Sequence, residues 1–120
     1  MTHPDIEELL PLSRRDFHIL LELLDGECHG YGLVKAISAR TGGKVRLDPA
    51  YLYRATERMI ELGLVEDAAR RRAPDSARVR RYFRITELGR RALAADAERL
   101  QDLVAAVRAK RLISDAGSDR

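Results

Sequence analysis

Apolar residues recur at helical spacing in several stretches of this chain and alternate in a few shorter ones. Phe17, Leu20, Leu21 and Leu24 share one face of a helix expected over residues 14–24. Ser13 precedes it as an N-cap, Asp16 follows three residues later in an aspartate form of the capping box, and Gly26 stops it. Leu33, Val34 and Ile37 mark a second helix, opened by His29-Gly30-Tyr31-Gly32 and ended by Thr41-Gly42-Gly43. A third starts at Asp48-Pro49, with Asp as N-cap and Pro at the first helical position. It buries Leu52, Thr56, Met59 and Ile60 and closes at Gly63. Residues 4–10 predict a short leading helix, with Pro4 in its first turn, Ile6, Leu9 and Leu10 on one face, and Pro11 at its end.

The alternating stretches predict strands. Lys44-Val45-Arg46-Leu47 reads as a short extended strand. Leu64-Val65-Glu66-Asp67 and Arg81-Tyr82-Phe83-Arg84-Ile85 read as the arms of a hairpin, with Pro74, Asp75 and Ser76 at the loop tip. Thr86 caps a last helix expected to run to about residue 111, roughly 37 Å at 1.5 Å per residue. The element order predicts a mainly α fold with a small β-hairpin. A winged helix-turn-helix over residues 1–86 is followed by a long C-terminal dimerisation helix over 87–113 and a polar tail over 114–120.

Composition sharpens this picture. At 120 residues the chain suits one core rather than two. Charged residues make up 34% of it, yet both signs are present and the net charge is only +3. The positive charge is uneven: residues 70–84 hold seven arginines against the single acid Asp75. Such a block is either a solvated loop or a contact for a polyanion, and its neighbourhood decides which. A lone Cys28 excludes an internal disulfide and fits a reducing compartment. No apolar run approaches the ~20 residues of a membrane span, and the N-terminus lacks a signal-peptide core. A cytoplasmic protein without a membrane partner is the expectation.

The neighbourhood of the arginine block favours double-stranded DNA as the partner. A capped third helix with a polar, basic face is followed at the right distance by the arginine-rich hairpin. In a winged helix the first enters the major groove and the second flanks it. Ala50, Tyr51 and Arg54, near the start of that helix, are candidates for base contacts. Arg58 and the wing residues Arg70, Arg71, Arg72, Arg78 and Arg80 are candidates for phosphate contacts. Along the last helix, Leu93, Ala97, Leu100, Val104 and Val107 are spaced four, three, four and three, a heptad seam that Leu103 widens. This predicts a homodimer, with Ile6, Leu9 and Leu10 of the short leading helix covering the partner.

These motifs together resemble the PadR family over roughly residues 9–112. The resemblance rests on Leu12 to Leu24, His29-Gly30-Tyr31-Gly32, Thr41-Gly42-Gly43, Asp48-Pro49-Ala50-Tyr51-Leu52-Tyr53-Arg54-Ala55, Gly63-Leu64-Val65, and Arg81-Tyr82-Phe83-Arg84-Ile85-Thr86-Glu87-Leu88-Gly89. A single long C-terminal helix resembles the short subfamily. The resemblance implies a homodimeric repressor on a palindromic operator, often released by a small ligand, with Tyr31 and Tyr53 near the DNA backbone. The chain departs from relatives where Asp48 stands in place of Ser or Thr, and Ala50-Tyr51 in place of Gly-Thr or Gly-Ser. Thr56 also stands where relatives carry Leu.

Other classes find less support. No phosphate loop, nucleophile elbow or carboxylate pair points to an enzyme. Cys28 and His29 are adjacent, with no Cys-x-x-Cys or His-x-x-x-His spacing, so neither a metal nor another cofactor is expected. The alternatives are a winged-helix protein-interaction module and a metal- or redox-sensing regulator. A small-molecule effector, if aromatic, would meet no tryptophan here.

Overall fold

The computed structural model describes residues 5–74 and 76–114. The expected places of Pro4, Asp75 and the tail beyond Ser114 lie outside the described residues. The elements follow in the order α1 (Ile6–Leu9), α2 (Arg14–Leu23), β1 (Cys28–His29), α3 (Gly30–Arg40), α4 (Pro49–Glu61), β2 (Val65–Asp67), β3 (Arg71–Arg72), β4 (Val79–Arg80), β5 (Tyr82–Ile85) and α5 (Glu87–Ala109). The helix starts are fixed locally. Ser13 Oγ accepts from the Asp16 amide at 3.0 Å, Asp48 Oδ2 from Tyr51 at 3.2 Å, and Thr86 Oγ1 from Gly89 at 3.0 Å. His29 caps α3 through Nδ1, which accepts from the Gly32 amide at 3.1 Å.

One core joins α2, α3, α4, the sheet and the first half of α5. Ile19, Leu20, Leu33, Ile37, Leu52, Met59, Leu64 and Phe83 are buried in it. Ala92 and Leu93 belong to the same core, so the front of α5 is part of the winged-helix body. Leu93 is only 5% exposed, which corrects its expected place in an intersubunit seam: its surface is spent within the protomer. Gly89 lets α5 approach the end of α4, because a Cβ there would overlap the Leu64 carbonyl oxygen.

The sheet differs from a plain hairpin. β1 pairs antiparallel with β5, which also pairs with β2, giving the order β1-β5-β2. The wing continues as a second, two-stranded ribbon of β3 and β4, with Arg71 opposite Arg80 and Arg72 opposite Val79. Residues 44–47 form no strand. Their alternation is still real, since Val45 and Leu47 are 7% and 4% exposed while Lys44 and Arg46 point outward. The pattern reports burial of one side, and no strand among the described residues lies alongside to accept hydrogen bonds.

Candidate nucleic-acid interface

The face of α4 away from the core presents Ala50, Tyr53, Arg54 and Arg58, all exposed. Thr56 is fully buried on the other side, and its hydroxyl donates to the carbonyl oxygens of Leu52 (3.0 Å) and Tyr53 (2.9 Å). This buried hydroxyl is thereby satisfied by its own helix. Arg54 projects from the exposed face without an ion pair among the described residues.

Tyr51 and Arg58 are tied down instead. The Tyr51 hydroxyl donates to Asp16 Oδ1 at 3.0 Å, and Arg58 Nη2 is ion-paired with Asp16 Oδ2. Asp16 is 9% exposed. Its expected capping role gives way to a tertiary one: the carboxylate in the first turn of α2 holds the outer edge of α4. The Tyr51 hydroxyl proton is therefore already donated, and the guanidinium of Arg15 lies 4.8 Å from its ring centroid.

Between the start of α3, α4 and the wing lies a cavity of about 290 Å³ lined by Tyr31, Tyr53, Arg80 and Arg81, among others. Tyr31 and Tyr53 are 49% and 57% exposed. The Arg80 guanidinium stands 5.2 Å from the Tyr31 ring, and Lys35 Nζ stands 5.1 Å from it. His29 buttresses this corner, edge-on to Tyr82 at 5.2 Å and parallel to Tyr31 at 6.5 Å. The Arg80 Nε is buried without a hydrogen-bond partner among the described residues. Two phenol rings and two guanidinium groups thus face one opening.

Apart from Arg80, the wing-region arginines divide into two groups. Arg81 is a hub, donating through Nε and Nη2 to Asp67 at 2.5 and 3.0 Å, pairing with Glu57, and reaching the Tyr53 hydroxyl at 3.3 Å. Arg84 pairs with Glu27 (2.6 Å) and Glu66 (2.9 Å). Arg71, expected to hold a phosphate, pairs with Glu27 at 2.8 Å and stacks 3.6 Å from the Tyr82 ring centroid. Hydrogen bonds from Arg71 and Arg84 hold the Glu27 carboxyl below its ordinary value, and those from Arg81 do the same for Asp67. Arg70, Arg72 and Arg78 are exposed and carry no ion pair among the described residues. The sequence shows a block of like charge; the fold pairs three of its members with acids, turns Arg70, Arg72 and Arg78 outward, and leaves Arg80 partly buried beside Tyr31.

The tertiary pairings of Arg81, Asp16 and Glu27 had no signal in the sequence, because their partners lie 14 to 57 residues away. Cys28 is half-buried, and burial, reinforced by Glu22, pushes its thiol up, which disfavours the reactive thiolate. Among the described residues no three His, Cys, Asp or Glu side chains gather into a group able to hold a metal. No helix among them is long and apolar enough to cross a membrane.

On α5, Leu100, Leu103 and Val104 are 39%, 52% and 37% exposed, Ala97 is exposed and Val107 is partly covered. Ile6, Leu9 and Leu10 are partly buried, with α1 packed on α5 of its own chain.

A family profile described as "Transcriptional regulator PadR-like family" matches residues 19–95. No curated protein matches the chain. Among solved structures, a transcriptional regulator from Clostridium thermocellum is 26% identical, with a TM-score of 0.65 over 82% of this chain and 89% of that one. A PadR-like transcriptional regulator from Bacillus cereus is 19% identical, with a TM-score of 0.65 over 91% of this chain and 97% of the other. Bacillus subtilis PadR, solved in complex with operator DNA, is 16% identical, with a TM-score of 0.60 over 71% of this chain and 47% of that one.

Proposed function

Because the chain belongs to the PadR-like family of transcriptional regulators, DNA-binding proteins rather than enzymes, we propose that it acts as a homodimeric repressor on an inverted-repeat operator. The observation that carries this reading is the common opening shared by the exposed face of α4, the phenols of Tyr31 and Tyr53, and Arg80 at the base of the wing. Arg54 and Ala50 face base edges: an arginine reads guanine through two hydrogen bonds, and a small residue permits close approach. Tyr31, Tyr53, Arg80 and the unpaired Arg70, Arg72 and Arg78 hold phosphates. Tyr51 supports the helix rather than donating to a base, since Asp16 occupies its hydroxyl.

The exposed stripe of Leu100, Leu103 and Val104 supports pairing of α5 with a second copy. Two-fold symmetry then places two α4 helices in successive major grooves, about 34 Å apart. Release by a small ligand is supported by a cavity of about 410 Å³ between α2 and α5, lined by the apolar Leu12, Phe17, Leu21 and Leu100 together with Arg14, His18, Asp96 and Arg99. An occupant there touches both the DNA-binding body and the edge of the seam.

The test is titration of the purified protein against duplex from upstream of its own gene and against random duplex. Arg54→Ala is expected to cost roughly 1–3 kcal/mol on the specific site and little on random DNA. Arg72→Ala is expected to weaken both alike and to make the salt dependence shallower by about one unit. Equal loss on both duplexes from Arg54→Ala would make that residue a backbone contact.

A further inference from the structure

On the side of α4 away from the wing, a cleft of about 470 Å³ opens between the start of α2 and the loop leading into α4. Its walls carry Arg14, Arg15, Lys44 and Arg46, with Ser13 and the Tyr51 ring between them. All four cations are exposed. No carboxylate among the described residues is ion-paired with any of them; Arg46 Nε donates to the Gly43 carbonyl at 3.2 Å, and Arg15 lies over the Tyr51 ring. The carboxylates adjacent in the chain are already engaged, Asp16 by Arg58 and Tyr51, and Asp48 by the Tyr51 amide. The contrast with the wing is direct, since three arginines there are neutralised within the chain.

Position follows from helix geometry. At 100° per residue, Tyr51 and Arg58 lie about 60° and 40° to one side of Arg54, and Tyr53 about 100° to the other. Tyr53 rims the wing-side cavity, and Tyr51 lines the basic cleft. A helix with its side chains is roughly 10–12 Å across, and the major groove is about 12 Å wide, bounded by one backbone on each side. A helix that seats Arg54 on the bases therefore brings each flank to a different strand.

We infer that the Arg14–Arg15–Lys44–Arg46 cleft is a second phosphate-binding site, which takes the DNA strand opposite the one held by the wing. The inference rests on the DNA-binding reading above and deepens it: the protein grips both edges of one groove, and the wing supplies only half of the electrostatic affinity. The Asp16 carboxylate keeps Arg58 and Tyr51 folded against this flank, so the cleft keeps its shape before DNA arrives.

The test compares the full chain with three variants on random duplex over a series of salt concentrations. The cleft variant is Arg15→Ala/Lys44→Ala/Arg46→Ala, and the wing variant is Arg70→Ala/Arg72→Ala/Arg78→Ala. A charge-matched control is Arg90→Ala/Arg91→Ala/Lys110→Ala, at exposed positions on α5 and at its C-cap. Every phosphate that is no longer neutralised takes about 0.9 off the slope of log K against log salt, which at 0.15 M is about 5-fold in affinity. The cleft variant is expected to bind about 150-fold more weakly per protomer, to match the wing variant, and to recover when the cations are restored as Arg15→Lys/Lys44→Arg/Arg46→Lys. Phosphate ethylation interference is expected to lose signals on one strand of each half-site with the cleft variant and on the other with the wing variant. A cleft variant indistinguishable from the control, beside a weakened wing variant, overturns the inference and leaves the DNA reading standing. Failure of the unmodified protein to bind duplex at all overturns both.

Discussion

Replacing Gly89 with alanine sets two physical effects of opposite sign against each other. Gly89 sits in the first turn of α5 with helical backbone, where Gly→Ala normally stabilises by about 0.4–1 kcal/mol through the unfolded chain. In this fold the new Cβ would overlap the Leu64 carbonyl oxygen and come within 2.8 Å of Ile85 Cγ1. The first obstacle is backbone, so no rotamer change relieves it, and α5 must lift away. Lifting strains the Thr86 amide bond to Leu64 O (3.0 Å) and the Thr86 hydroxyl bond to Gly63 O (2.6 Å). Overpacking costs about 1–3 kcal/mol, and each weakened bond adds up to about 1 kcal/mol. The net expectation is destabilisation by about 2 kcal/mol, a fall in Tm of about 8 °C for a chain of this length. Thermal and urea unfolding at one fixed protomer concentration measure it, because the proposed dimerisation would make apparent stability concentration-dependent. A variant as stable as the parent, or more so, would refute the claim that α5 is held at contact distance from Leu64.

Other expectations concern the ion pairs and the seam. Asp16→Ala leaves Arg58 and the Tyr51 hydroxyl without their acceptor; Arg58 is 46% exposed, which tempers the cost to about 2 kcal/mol. A double-mutant cycle with Arg58→Ala should return a coupling near ~1 kcal/mol, and a coupling of zero would show that the pair is not formed in solution. Because the folded carboxyl of Glu27 titrates below its ordinary value, its stabilisation is complete above that value and is lost as pH falls through the lowered folded one. Glu27→Gln should therefore flatten the acid limb of a Tm-against-pH curve, and by freeing Arg71 and Arg84 it should tighten binding to random DNA. Leu100→Glu puts an unpaired charge into the proposed seam and should weaken self-association by about 3 kcal/mol, roughly 150-fold in Kd. Sedimentation equilibrium reads this directly, and an unchanged dimer would place the interface elsewhere.

The helix starts and the burial patterns were legible because their causes are local. A cap hydrogen bond spans three residues, so Ser13, Asp48 and Thr86 announce themselves beside the helices they begin. The last helix ends at Ala109, close to the expected end near residue 111, and α2 ends at Leu23 beside the expected 24. Strand β1 was invisible: two residues show no periodicity, and Cys28–His29 becomes a strand only because β5 lies beside it. The converse holds at 44–47, where alternation is present and no partner strand lies among the described residues.

By itself, then, the sequence determined the order of the helices, the family, and which face of α4 looks outward, since periodicity and capping act within a few residues. Tertiary structure alone decided which charges are available. Glu27 reaches Arg71 across 44 residues and Arg84 across 57, while Arg15, Lys44 and Arg46 pair with no acid among the described residues. It also buried Leu93 in the core of its own protomer and engaged Tyr51 with Asp16. Pairing falls steeply with distance in space and is indifferent to distance along the chain. A cationic residue in the sequence therefore becomes a free cation or a neutralised one only when the fold chooses its neighbours.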